Sequence, residues 1–205
     1  MSAPRTPSNP STRSVARAAG ACGAVAAALI LAAPSVSGPA ASTIWTVGFL
    51  LLLPFFAGLA TLAHTAGGPT AWLAPAIPAA GAVVFTLNLV NAGVQYTADN
   101  VSKASPVHEP LHAVGGAMFV LGMLPLGVAL VAAAIVGLGA GTLPRWLAGG
   151  GLVIGLTALV NGTMLGSQAA WGFLLSLVWV FVAGITMVVR RAASVPETQP
   201  APAAG

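Results

Sequence analysis

The chain has 205 residues, of which 57% are apolar and only 5% charged, with a mean hydropathy of +0.93 and a formal net charge of +4. Seven basic and three acidic side chains cannot coat a water-soluble domain of this size, so lipid must be the solvent for most of it. The basic residues lie beside apolar segments and form no Lys/Arg stripe with interleaved aromatics, which excludes a nucleic-acid partner, and Cys22, the single cysteine, excludes an internal disulfide or a cysteine-based zinc centre.

Residues 1–14 form a Pro/Ser/Arg stretch without apolar periodicity, and residues 191–205 form a Pro/Ala tail, so both are expected to be disordered. Between them, at about 20 apolar residues per crossing, six transmembrane helices are expected near 16–36, 43–63, 71–95, 112–138, 146–166 and 171–189. The fold class is therefore all-α: a polytopic helical bundle forming one domain over 15–190, with the lipid bilayer as its surroundings. Arg13 and Arg17 before an Ala-rich stretch, with Gly38-Pro39-Ala40-Ala41 after it, also fit a cleavable secretory signal, whose removal would leave five spans in the same orientation. Cys22, inside this first segment, is expected to pack as a small apolar residue.

Orientation follows from the basic residues, because cytoplasmic loops retain Lys and Arg. With the N-terminus inside, Arg5, Arg13, Arg17, Arg145, Arg190 and Arg191 are cytoplasmic and only Lys103 is outside. The expected location is thus the cell membrane, with both termini cytoplasmic. Trp45 and Trp171 then fall at outer boundaries, with Tyr96 beside them, Trp72 and Trp146 at inner ones, and Trp179 alone in mid-span.

Pro54 and Pro125 sit inside the second and fourth spans, where each removes a backbone hydrogen bond and favours a kink. Small residues must supply close helix approach in lipid. Gly151 and Gly155 form a small-xxx-small pair, and Gly20, Gly23, Gly58, Gly81, Gly115, Gly116, Gly122 and Gly127 offer further grooves, through which an oligomer is also conceivable.

The third helix carries Asn88, Asn91, Gln95 and Asp99 at i, i+3, i+7 and i+11, which makes one stripe in its outer half. Thr157, Asn161 and Gln168 form a matching set on the fifth helix. Amides facing hydrocarbon are costly, so Asn88, Asn91, Gln95 and Asn161 are expected to face one another or a shared wet cavity. They either tie helices together or line an outward-opening pocket for a small ligand.

A polar loop is expected from Tyr96 to Pro110, and within it and just beyond, His108-Glu109-Pro110-Leu111-His112 matches the H-E-x-x-H pattern of zinc metalloproteases. That chemistry needs both imidazoles on one helical face and the glutamate beside them to activate a metal-bound water. Here Pro110 is expected at the first helical position with Glu109 as the cap, which leaves His108 outside the helix. Only Asp99 is within reach as a third ligand, so zinc at His108 and His112 stands as an alternative to an ordinary polar helix start. The sequence has no Gly-x-Ser-x-Gly elbow, no phosphate-binding glycine loop followed by Lys and no paired carboxylates deep in a span, and Ser167 has no nearby histidine to serve as its base.

Leu143-Pro144-Arg145-Trp146-Leu147, running on through Gly155, resembles a segment of a large family of uncharacterised bacterial multi-pass membrane proteins, with Ala148 where glycine is more usual there. The resemblance covers the last three spans and implies a helical bundle of this size, without an activity, catalytic residues or cofactor. Three function classes follow from the residues themselves: a ligand-binding or transport protein, a metal-dependent enzyme, or a structural subunit of a membrane complex.

Overall fold

The structure, a computed structural model, describes residues 10–36, 39–163 and 169–189. Its six α-helices are α1 (Pro10–Ala32), α2 (Pro39–Ala66), α3 (Ala76–Asn100), α4 (His108–Ala140), α5 (Arg145–Thr163) and α6 (Ala169–Val189), and there is no strand among the described residues. All six contain stretches long and apolar enough to cross a membrane. This agrees with the physical requirement that a chain in lipid satisfy its backbone groups within each segment.

Successive helices run antiparallel and close into a ring, each packed on its chain neighbours, with α6 returning against α1. The long helix α4 also touches α2 and α6 across the middle. Its buried positions Met123, Leu126 and Leu130 meet Phe49, Phe55 and Phe56 of α2 and Val180 of α6 in one apolar core, and Val136 packs with Ala63 and Ala74 in a smaller one. Pro54 and Pro125 lie inside α2 and α4, which continue through them.

Glycines set the closest approaches. A Cβ on Gly127 of α4 would lie 2.7 Å from the Gly155 carbonyl oxygen, and one on Gly155 would lie 3.0 Å from that of Gly127, so the α4 and α5 backbones touch. Gly20 and Gly184 do the same for α1 and α6. The expected Gly151–Gly155 pair is divided between two partners, because Gly151 receives the Trp179 indole of α6 whereas Gly155 faces α4. Gly116, expected to offer a groove, has open space where its Cβ would be.

Several boundaries differ from the sequence expectation. Helix α1 begins at Pro10, inside the stretch expected to be disordered, while residues 1–9 and the tail from 190 lie outside the described residues. Residues 71–73 form a separate 3-10 turn before α3. At its other end α3 continues to Asn100 and α4 starts at His108, so the expected loop from Tyr96 to Pro110 shrinks to residues 101–107. The reason lies in the helix start: the first four N–H groups of a helix have no intrahelical acceptor, so a proline anywhere in that turn forfeits nothing. Pro110 therefore occupies the third helical position, Val107 is the cap, and His108 is inside the helix.

Candidate functional site

The inward face of α3 changes character along its length. Ile77, Ala80, Gly81 and Val84 are buried in its first half, and the same face continues through Asn88 and Asn91, which are 1% and 8% exposed. Gln95 follows on that face, half-buried. The amides fit because α4 presents glycine opposite them: Gly122 lies against Asn88, and Gly115 against both Gln95 and Asn91. A Cβ on Gly115 would stand 2.6 Å from Gln95 Nε2 and 3.1 Å from Asn91 Oδ1.

These polar groups are unequally satisfied. Asn88 Nδ2 donates to the Val84 carbonyl at 2.9 Å, whereas Asn88 Oδ1 and Asn91 Oδ1 are buried without a hydrogen-bonding partner in the protein. A carbonyl oxygen held in that way forfeits about 1–3 kcal/mol of solvation, so such a group calls for a partner.

Asn91 and Gln95 line a cavity of about 240 Å³ between the end of α1, the start of α2 and the C-terminal half of α3. Its other walls are Ala33 and Pro34, then Ala41, Ser42 and Trp45, then Ala92. Trp45, expected as an interfacial anchor, instead turns inward: its ring lies 5.3 Å from Phe49, 5.7 Å from Phe173 and 6.3 Å from Phe119. Phe119 and Phe173 meet edge to face at 5.0 Å. This aromatic cluster backs the cavity with a wall that has little freedom to collapse into it. Trp72, Trp146, Trp171 and Tyr96 are by contrast exposed, as interfacial residues would be.

The second amide set does not join the first. Asn161 of α5 points at α6, where a Cβ on Gly172 would lie 2.5 Å from its Nδ2. The ring order places α4 between α3 and α5, so the expectation that Asn161 shares a cavity with Asn88 and Asn91 is corrected. Thr157 bonds back to the Val153 carbonyl of its own helix, and Gln168 lies outside the described residues.

Above the amides, the ends of α3 and α4 bring together three residues that the sequence had left apart. Starting α4 at His108 puts His108 and His112 one turn apart on one face, with ring centroids 4.7 Å apart and planes at 89°. His108 Nδ1 is 3.1 Å from the Ala98 carbonyl oxygen, and His112 Nδ1 is 2.8 Å from Gln95 Oε1. His112 Nε2 stands 4.0 Å from Asp99 Oδ1. Glu109 and Lys103 are exposed, and among the described residues no three His, Cys, Asp or Glu side chains are already at metal-holding spacing. Sequence reasoning missed Trp45 and Ser42 as cavity residues, because an aromatic residue near a span boundary reads equally well as an anchor. No protein-family model, curated protein or solved structure matches this chain.

Proposed function

We infer that this chain is a multi-pass protein of the cell membrane, both termini cytoplasmic, that binds a small neutral ligand in the cavity bounded by α1, α2 and α3. The six apolar helices and the placement of Arg145 and Arg17 opposite Lys103 support that setting. The observation that carries the binding reading is Asn91: nine-tenths buried, lining the cavity, with an acceptor oxygen that no protein group satisfies. That oxygen lies toward Gly115 of α4 and is itself enclosed, and a turn of the amide would offer it to a ligand with a hydrogen-bond donor. The remaining walls are apolar apart from Ser42, and Pro34, Ala33, Ala41, Ala92 and Trp45 among them select a compact apolar body. A small amphiphile such as a phenol, an alcohol or a primary amide has that combination, and Gln95 beside Asn91 supplies a second polar contact.

The reading is tested by thermal unfolding of the detergent-purified protein against a panel of phenols, short alcohols and primary amides. At least one compound is expected to raise the melting temperature of the parent protein and to lose that effect in Asn91→Leu, while Asn161→Leu, altered at the α5–α6 contact, keeps it. Without ligand, Asn91→Leu should be as stable as the parent or more so, because it removes an unsatisfied buried acceptor worth about 1–3 kcal/mol. Equal shifts in parent and Asn91→Leu, or a marked loss of stability in Asn91→Leu alone, would mean that the amide is structural.

A further inference from the structure

We propose that His112 is a proton-controlled positioning residue: its charge state sets which end of the Gln95 carboxamide faces Asn91, and so whether the Asn91 oxygen is held against α4 or released to the cavity. The effect on binding rests on the cavity reading above, whereas the effect on the two amides does not.

Gln95 of α3 belongs to both places. It lines the cavity beside Asn91, and its Oε1 lies 2.8 Å from Nδ1 of His112 on α4. An amide oxygen only accepts, so Nδ1 carries a hydrogen in this arrangement. The other ring nitrogen, Nε2, stands 4.0 Å from Asp99 Oδ1. A hydrogen on that nitrogen is attracted to the carboxylate, and a lone pair there is repelled by it. Both contacts are therefore favourable together only when the ring carries two hydrogens and a positive charge.

Removing one proton leaves one N–H for two acceptors. If the hydrogen stays on Nδ1, the Nε2 lone pair opposes Asp99. If it stays on Nε2, it serves the carboxylate, and a half-turn of the Gln95 amide lets its NH₂ group donate to Nδ1, so neither contact is lost. The terminal torsion of glutamine is broad and roughly two-fold, which makes that half-turn cheap. The second arrangement therefore prevails in the neutral ring, and histidine is the side chain suited to such a change between about pH 5 and 8. The other titratable side chains described at this end of the bundle are Tyr96 and Asp99 of α3, Lys103 of the link, and His108 and Glu109 of α4; the adjoining ends of α1, α2, α5 and α6 carry none. Tyr96, Lys103 and Glu109 are exposed, and His108 meets the His112 ring edge to face with its own Nδ1 3.1 Å from the Ala98 carbonyl oxygen.

The half-turn reverses what Asn91 meets. A Cβ on Gly115 would lie 2.6 Å from Gln95 Nε2 and 3.1 Å from Asn91 Oδ1, so the donor of one amide and the acceptor of the other share the space over that glycine. They do not form a hydrogen bond, yet their opposite partial charges favour the present orientation of Asn91. After the half-turn two oxygens share that space and repel each other. Asn91 relieves the repulsion by turning its oxygen toward the cavity it lines. The neutral ring thus prepares the cavity for a ligand with a hydrogen-bond donor, and the charged ring withdraws the acceptor.

The test follows the full chain in detergent by NMR from about pH 5 to about pH 8, with nitrogen-15 in the histidine rings and glutamine side chains. Neutral His112 is expected in the Nε2–H form. The Gln95 amide signals, identified by their loss in Gln95→Met, are expected to move in step with the His112 ring nitrogens. That response should be lost in His112→Phe and survive in His108→Phe. In Asp99→Ala, an exposed change that removes the pull on the Nε2 hydrogen, neutral His112 should take the Nδ1–H form and Gln95 should stop responding. Phenol, itself neutral over this range, probes the cavity: its dissociation constant in the parent is expected to fall about 5-fold between about pH 5.5 and about pH 8, the scale of one neutral hydrogen bond, and to stay constant in Asp99→Ala. Neutral His112 in the Nδ1–H form in the parent, Gln95 signals indifferent to its titration, or saturable phenol binding of equal affinity at both pH values would overturn the proposal. Reversal of the Gln95 amide without phenol binding at either pH would uphold the switch and count against the cavity reading alone.

Discussion

Buried polar atoms in this bundle differ in whether the protein satisfies them, and that difference separates framework from candidate site. Trp179, 3% exposed in mid-span, donates its Nε1–H to the Leu147 carbonyl of α5 at 2.8 Å, and Gly151 leaves the space for the indole. Ser176 is buried and donates to the Gly172 carbonyl at 2.7 Å. These are structural bonds, closed within the protein, whereas Asn91 Oδ1 is enclosed against Gly115 of α4 without a partner, on a residue that lines a cavity. Replacing Trp179 by Phe should therefore lower stability by about 0.5–1.5 kcal/mol for the lost hydrogen bond, and somewhat more for the lost ring volume. Thermal unfolding in detergent reads that loss, and unaltered stability would show that the α5–α6 contact does not depend on it. At this scale the sequence pointed correctly to Asn88 and Asn91 as inward residues, since their spacing continues the apolar face of Val84. It could not tell which amide atoms would find partners, because that depends on the facing helix.

Helices in lipid gain little from burying apolar surface, so their association rests on backbone proximity and packing. The α4–α5 contact shows this most clearly, with Gly127 and Gly155 facing each other and Val131 beside them. The atoms that a side chain at Gly155 would strike include the Gly127 carbonyl oxygen and the Val131 backbone nitrogen, both at 3.0 Å, and backbone atoms cannot rotate aside. Gly155→Leu is expected to force α4 and α5 apart at a cost of about 1–3 kcal/mol. Gly149 and Gly150, on the same helix, have open space where a Cβ would be, so Gly149→Leu should be nearly neutral. Comparing the melting temperatures of the two variants decides whether helix contact or glycine content matters. The glycines were legible as candidates in the sequence, but their pairing was not: Gly151 and Gly155 have the same spacing signature and serve different neighbours.

Among the described residues, the ring order of helices places residues 33–36, the 101–107 link and the start of α6 at one end, opposite Arg145 and the start of α1. The candidate cavity and the histidine pair both belong to the first end. In the orientation proposed from the charge bias, that end is the outer one, which is what a site sampling the exterior requires. In a Cys22→Ala background, a cysteine at Lys103 should react with an impermeant thiol reagent in intact cells, and cysteines at Arg145 or Arg191 should react only after permeabilisation. The reverse labelling pattern would place the cavity mouth in the cytoplasm.

Composition and hydropathy by themselves determined that this is an all-α bundle of six membrane-length helices, because, of the helices and closed barrels that satisfy backbone hydrogen bonds in lipid, only helices suit continuous apolar runs of about 20 residues. Periodicity also determined that the amides of α3 face inward. Only the tertiary structure decided that Asn161 serves α6 instead of sharing that face, that Trp45 turns into an aromatic cluster, and that His108 stands on the helix beside His112. The physical reason is that a helical face specifies a direction from its own axis and not the neighbour it meets. That neighbour is set by the order of packing around the ring, and the start of α4 by which orphan N–H groups a proline can do without.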